Sequence, residues 1–472
     1  MKKFSILLSM VLVLTFVLSA CAPAATPESP EPPVAEEPVE AEKPAEQEPV
    51  EEPEEIEEVD EAPPFEGVSI QFWHVYSDSP GQAMQALVDE FNATNEYGIT
   101  VEAFDQGGYS DVEDKMNAGI QSGDLPDIIQ AYTNSLTDWY SVDSIVDLTP
   151  YVEDSEYGLT ADQLADLYPG LRETGTTTDG AWIAYPLTQS ANVLVYNFTW
   201  AKELGFDETP KTSEELAEQI CAAAADNATK GADFAGTGGM VYAPNTTNWL
   251  HFLYAFGGDE LNDDGTAYEF NTPEAVATSM YLLDLKEKGC VWQTESYPNP
   301  EQAQRRALIT LSSMAGLPYY EEAFTDADND DEWGFLPAPG PDGKMAVNAF
   351  QQMLGVVPST EEKEMASWLF IKWLTSPEIQ ARWVPASGYY GTQYSTEELL
   401  AGYAEENPIW GQGVTLAGIG PAEPQTFPAW SSVRRSIGNF AAELYNAKDE
   451  AEVEAILIEM TNTANDLVEE VQ

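Results

Sequence analysis

Between Val68 and Tyr132 the chain switches back and forth between two hydrophobic periods, and that alternation sets the fold class. Val68–His74 is dense in β-branched and aromatic residues and reads as a strand. Pro80–Asn95 carries Met84, Leu87, Val88 and Phe91 at helical spacing. Ile99–Ala103 is a second strand, Asp111–Gln121 a second helix with Val112, Met116 and Ile120 on one face, and Ile129 closes a third strand after a turn at Gly123. Strand–helix–strand units of this kind build a parallel sheet with helices on its faces, an α/β architecture. Ligands of such sheets sit beyond the C-terminal strand ends, where His74, Tyr76, Asp78, Gln106 and Tyr132 fall. The rhythm recurs later. Strands are expected at Ala191–Asn197, Leu308–Leu311 and Gln352–Val357. Helices are expected at Thr212–Ala225, Trp249–Phe256, Pro273–Lys288, Glu301–Leu308, Glu361–Leu374 and Glu450–Val471.

About 400 residues follow Phe65, too many for one hydrophobic core, so two lobes are expected. What precedes them is of another kind. Lys2 and Lys3 lead an apolar run from Phe4 to Leu18, shorter than the roughly 20 residues of a membrane-spanning helix, and small residues precede Cys21. This has the form of a secretory signal over 1–20. Leu18–Cys21 resembles the bacterial lipobox at all four positions, which implies a Cys21 acylated on its sulfur and amine, and a membrane anchor. Residues 22–64 hold 16 acidic residues, Lys43 as the one base and no aromatic residue. That composition cannot offset chain entropy by burial and reads, with Cys21, as a disordered spacer over 21–64.

The net charge of −63 excludes nucleic acid, which needs Lys and Arg to displace counterions, and disfavours anionic ligands unless a local basic site overrides the field. His74 and His251 are the two histidines, so a histidine-based triad or a multi-histidine metal site is not expected. No motif of a serine hydrolase, zinc protease or P-loop occurs. A two-carboxylate glycosidase remains an alternative, because acidic residues are abundant. Asp326–Glu332 fails the EF-hand pattern, with Asp331 where Gly is required, and reads as a solvated loop. No cofactor or metal is therefore expected. Cys221 and Cys290 form no Cys-x-x-Cys pair; in a compartment that permits disulfides a Cys221–Cys290 bridge is expected, with two buried free thiols as the alternative.

Eight short segments follow one another along the chain: Ile70–His74, Met116–Asp127, Ala184–Leu187, Leu194–Asn197, Glu203–Asp207, Pro210–Leu216, Ala366–Glu378 and Pro385–Tyr390. Their order resembles the family 1 extracellular solute-binding proteins of ABC importers, the maltose-binding-like group. The likeness extends over 65–472. Arg306–Ser313 departs from the family's usual Gly-Lys-x-Ala-Met segment, which bears on ligand identity. The resemblance implies a periplasmic-binding-protein-like fold, with two α/β lobes joined by a hinge around a ligand cleft. Lobe one would comprise 65–188 plus 312–352, and lobe two 189–311 plus 353–472. It also implies a monomer that is not an enzyme, works with the transmembrane subunits of an ABC permease, and closes on its solute.

Carbohydrate is the expected solute, since aromatic rings stack on sugar C–H faces while amides, carboxylates and hydroxyls bond the hydroxyl rim. Polyamines, other small polar solutes, or glycan capture without a permease are the alternatives. Candidate ligand residues are His74, Tyr76, Asp78, Tyr109, Tyr132, Gln189, Trp249, Ser312, Ser313, Tyr319, Asn348, Gln351 and Tyr389. For the aromatic members, core packing is the competing role.

Overall fold

A computed structural model of the chain describes residues 64–417 and 423–471. The expected signal over 1–20, the expected acylation site Cys21 and the acidic segment up to residue 63 lie outside the described residues.

The first five elements follow the hydrophobic periods. Strand β1 (Ser69–His74) turns Ile70, Phe72 and His74 inward by simple alternation. Helix Asp78–Thr94 buries Met84, Leu87, Val88 and Phe91, one stripe of a 3.6-residue period. Strand β2 (Thr100–Asp105) and strand β3 (Ile128–Ala131) flank β1 in parallel, with Ser69 beside Thr100 and Phe72 beside Ile128. The helix between them starts at Tyr109, two residues before the expected position. The Asp111 carboxylate accepts from the Gly108 N–H at 2.8 Å and so stabilises an earlier first turn. It stops at Gly123, which takes the left-handed conformation (φ 83°) and returns its N–H to the Gly119 carbonyl.

The remaining strands are β4 (Tyr185–Asn197), β5 (Gly238–Val241), β6 (Val291–Trp292), β7 (Ala307–Ser313), β8 (Trp333–Leu336), β9 (Ala338–Pro339), β10 (Met345–Ala346) and β11 (Asn348–Val356). Apart from the small β9–β10 pair, they join one nine-stranded sheet in the order β2-β1-β3-β11-β4-β7-β5-β6, with β8 also on β4. β4 is the hub. Its first half pairs antiparallel with β11, from Tyr185 opposite Leu354 to Asn192 opposite Asn348. Its second half pairs with β7 and β8, as Val195 with Thr310 and with Phe335. Together β4 and β11 make a two-stranded ribbon leading from the parallel first sheet into the second half of the molecule.

Hydrophobic clusters mark the two sides. Ile70, Phe72, Val88 and Leu187 share one core with Leu354, Trp368, Phe370 and Trp383. Leu194, Ile220, Met240, Phe252 and Ile309 share another with Val433, Ile437 and Leu457. A third cluster covers Val193 and Val195 with Met314, Leu317, Phe335 and Trp410. This corrects the expected division of the later chain. Residues 353–383 pack with the first lobe and 314–347 with the second, the reverse of the expectation. The reason is the direction of β11, whose last residues pair with β3 (Gly355 opposite Ile129) and carry the chain back into the first lobe. Helices Trp430–Leu444 and Glu450–Val471 return to the second core.

Cys221 and Cys290 are joined by a disulfide, with Cα atoms 4.7 Å apart. It ties helix Ser213–Asn227 to the residue before β6. In the chain-entropy account, closing a loop of this length stabilises by about 4 kcal/mol.

Candidate ligand cleft

The ribbon's side chains alternate, and one of its faces is the floor of a cavity of ≈ 720 Å³. Ser190 and Asn192 of β4 and Phe350 and Gln352 of β11 point into it, two residues apart on each strand. One wall comes from the first lobe. Tyr109, Glu113 and Asn117 follow at four-residue steps along helix Tyr109–Ser122, and Tyr132, Asn134, Asp138 and Trp139 come from β3's end and helix Thr133–Tyr140. The facing wall comes from the second lobe: Thr246 and Thr247 open helix Thr246–Ala255, and Ser431, Arg434 and Arg435 lie on helix Trp430–Leu444. Glu423 and Gln425 close one end.

The walls are held by their own hydrogen bonds. The Trp139 indole donates to Asn117 Oδ1 at 2.9 Å and Ser135 Oγ to Glu113 at 2.7 Å. The Tyr109 and Tyr132 rings stack, with centroids 4.2 Å apart and planes 27° apart, an offset platform of aromatic surface. On the floor, Gln352 Oε1 accepts from Tyr76 OH at 2.5 Å, Thr188 Oγ1 at 2.7 Å and Gln130 Nε2 at 3.2 Å. Its Nε2 has no partner among the described residues, and neither does the buried Tyr109 hydroxyl. These two groups are set to bond something in the cleft. Asn192 Nδ2 is placed by Asn248 and His251, each at 3.1 Å. The walls also meet directly, where Asn134 Nδ2 donates to Ser431 Oγ at 2.8 Å.

Charge in the cleft is mixed. Arg434 donates to both oxygens of Glu423, at 2.6 and 3.1 Å, and to Thr247. Burial opposes the guanidinium charge, but Glu423 outweighs it and holds the Arg434 pKa above its ordinary value. Burial pushes the Asp138 carboxyl up, against a hydrogen bond from Ser431 and the nearby charge of Arg435. Burial also raises Tyr109 and Tyr132, which are therefore neutral hydroxyls at neutral pH.

Of the residues proposed from sequence, Tyr109, Tyr132, Ser313 and Tyr389 line this cavity. The others stand elsewhere. Trp249, the foremost aromatic candidate, is 1% exposed in the second core against Phe270, with its indole on Ser279 Oγ at 3.2 Å. It lies one turn into a helix buried on every side, and the threonines at that helix's start take the cleft position. His74 is a buried strand-end residue whose Nδ1 accepts from the Tyr76 N–H; burial lowers its pKa to about 4. Tyr76 lies behind the floor and supports Gln352. Asn348 is likewise one layer back, donating to Glu423 at 3.1 Å. Asp78 is exposed at the start of its helix, and Tyr319 is 66% exposed. Ser312 turns toward Tyr320, away from Ser313's side of β7. Gln189 and Gln351 occupy the ribbon's opposite face.

Sequence reasoning missed Glu113, Asn117, Asn134, Asp138, Ser190, Asn192, Thr247, Phe350, Gln352, Glu423, Arg434 and Arg435. Two signals pointed there: the polar four-residue steps from Tyr109, and the adjacent arginines 434 and 435 in a chain with 19 basic residues.

A family profile described as bacterial extracellular solute-binding protein matches residues 86–406. The chain belongs to that family. This solute-binding protein is 25% identical over 358 residues to the sn-glycerol-3-phosphate-binding periplasmic protein UgpB of Yersinia enterocolitica, covering 72% of this chain and 78% of the relative. It is 20% identical over 379 residues to the diacetylchitobiose binding protein DasA of Streptomyces coelicolor, covering 78% and 82%. In structure it resembles the cyclic α-maltosyl-1,6-maltose binding protein of Arthrobacter globiformis, with TM-score 0.72 and 22% identity over 85% of this chain and 99% of the other. UgpB of Mycobacterium tuberculosis, solved with glycerophosphocholine, gives TM-score 0.68 and 19% identity over 85% and 98%. The fold is thus that of the periplasmic sugar-binding proteins.

Proposed function

We propose that this protein is the lipid-anchored, extracytoplasmic solute-binding component of an ABC importer, and that it captures a sugar or oligosaccharide and presents it, unaltered, to a membrane permease. The observation that carries the carbohydrate reading is the cleft lining. A stacked tyrosine platform and Phe350 supply flat apolar surface, and amides and hydroxyls from Asn117, Asn192, Thr247, Ser313 and Gln352 ring it. Such a lining suits a ligand with C–H faces and a hydroxyl rim. The three carboxylates Glu113, Asp138 and Glu423 outnumber the two arginines, which disfavours an anionic guest.

The mechanism follows from the two walls. A ligand that touches both gains contacts only in the closed arrangement and shifts the population toward it by that difference. The permease would then recognise the closed form.

A second reading, an anionic polyol such as a glycerol phosphate ester, draws support from Arg434 and Arg435 in the cleft and from the UgpB relatives. A thermal-shift panel of mono- and oligosaccharides beside sn-glycerol-3-phosphate separates them. A ligand at 100 times its dissociation constant adds about 2.7 kcal/mol. A shift with sugars alone supports the first reading, a shift with the phosphate ester alone the second, and no shift with any member removes both. For the anchor, Cys21→Ala should release the protein from the membrane fraction; retention would refute acylation at that residue.

A further inference from the structure

The ribbon has a second cavity on its other face, of ≈ 760 Å³, which the cleft reading does not use. Gln189 and Gln351, each one residue off the cleft-facing set, form its floor. Gln351 is 5% exposed, lines the cavity, and has an Oε1 without a partner among the described residues. Gln425 reaches both cavities, and its buried Oε1 is also unpartnered.

The surroundings are anionic. Glu173 and Glu397 line the space and have no ion pair among the described residues; Glu423, which also lines it, is paired with Arg434, and no Lys or Arg among the described residues is in the lining. Burial pushes the Glu397 carboxyl above its ordinary range, against a hydrogen bond from Tyr168. The C-terminal turn of helix Pro408–Leu416 adds Val414 and Thr415 to the lining, and a helix C-terminus carries partial negative charge. Tyr168 and Tyr394 meet edge to face there, with centroids 4.5 Å apart.

We propose that this cavity is a second binding site, and that it takes an organic ammonium ion such as a diamine or short polyamine. Carboxylates and amide oxygens meet the N–H donors, and the tyrosine faces attract the cation and cover its methylenes. Its floor is the ribbon face turned away from the cleft, and Glu423 and Gln425 lie between the two spaces and line both.

Isothermal titration of the mature chain with putrescine and with spermidine, in about 0.15 M NaCl to screen the acidic surface, tests it. Saturable 1:1 binding is expected. It should weaken about tenfold in Glu397→Gln and by a smaller factor in the rim variant Glu173→Gln, which keeps the test open if the first variant folds poorly. Arg435→Glu, on the cleft wall, should leave the amine affinity unchanged. Three outcomes would overturn the proposal: no saturable binding, binding indifferent to both glutamate variants, or binding that tightens in Arg435→Glu, which would put the amine in the cleft.

Discussion

Ser190, Phe350 and Gln352 face the cleft, whereas Gln189, Ala349 and Gln351 face the second cavity, although both sets come from the same two strands. The period of two gives one ribbon two surfaces of different chemistry. The difference lies in bonding as well as position. Gln352 is the shared acceptor for Tyr76, Thr188 and Gln130, so its orientation is set before any ligand arrives. The Gln351 side chain has an acceptor oxygen with no such partner. The Gln352 oxygen is held by three donors of the protein, and the Gln351 oxygen by none among the described residues.

The largest expected effect tests that contrast directly. Gln352→Leu would strand three buried donors and should destabilise the protein by about 3–4 kcal/mol. Gln351→Leu replaces an unsatisfied buried amide with an apolar side chain and should change stability by less than about 1 kcal/mol. Urea unfolding of both variants measures this. Equal losses would mean that the two faces are not differently organised.

The next effect is electrostatic and belongs to the cleft face. His251 holds Asn192 at 3.1 Å and faces the Ala346 carbonyl, and burial lowers its pKa to about 4. A base with a depressed folded pKa contributes stability that is present above the unfolded value near 6.5 and is lost as pH falls toward 4. For a shift of this size the loss is on the order of 3 kcal/mol. His74 adds a loss in the same window. Asp138 and Glu260, carboxyls raised by burial, act in the opposite direction but equally in wild type and variant. Between pH 6.5 and 4 the wild type should therefore lose more stability than His251→Gln, by about 2–3 kcal/mol in denaturant melts. Parallel pH profiles would show that His251 does not titrate as a buried neutral ring.

Much of the fold was legible because it is local. The stripe of Met84, Leu87, Val88 and Phe91 and the alternation of Ile70 and Phe72 depend on neighbours a few residues away. The lobe boundaries depend on which strand β11 joins, and Gly355 opposite Ile129 is a pairing across more than 200 residues that no local pattern announces. The site was legible in the same uneven way. Tyr109 and Tyr132 follow strand ends and reach the cleft. Gln189 and Gln351 were chosen one residue away from Ser190 and Gln352, and Ser312 was chosen along with its cleft-facing neighbour Ser313, because the face of a strand turned toward a ligand is decided by the sheet around it. β11 adds an irregularity between Gln352 and Met353, so counting from either end gives different answers. Trp249 illustrates the other difficulty: a tryptophan suits a sugar platform and a core equally, and its helix is too uniformly apolar to show which way it points.

The smallest effect concerns how the walls meet. Asn134 and Ser431 join the two lobes across the cleft without using the ribbon. Asn134→Ala removes one half-buried hydrogen bond, worth about 1 kcal/mol, so the balance between closed and open forms should move about fivefold toward open. Affinity for any cleft ligand should fall by up to that factor, since ligand binding must then supply the missing closure energy. Small-angle scattering should show a larger radius of gyration for the unliganded variant than for wild type, with the two converging at saturating ligand. Glu173→Gln, on the far face, should leave the scattering of the unliganded protein unchanged. If it alters the radius as Asn134→Ala does, the two faces are mechanically coupled through the ribbon and the division between them is one of chemistry alone.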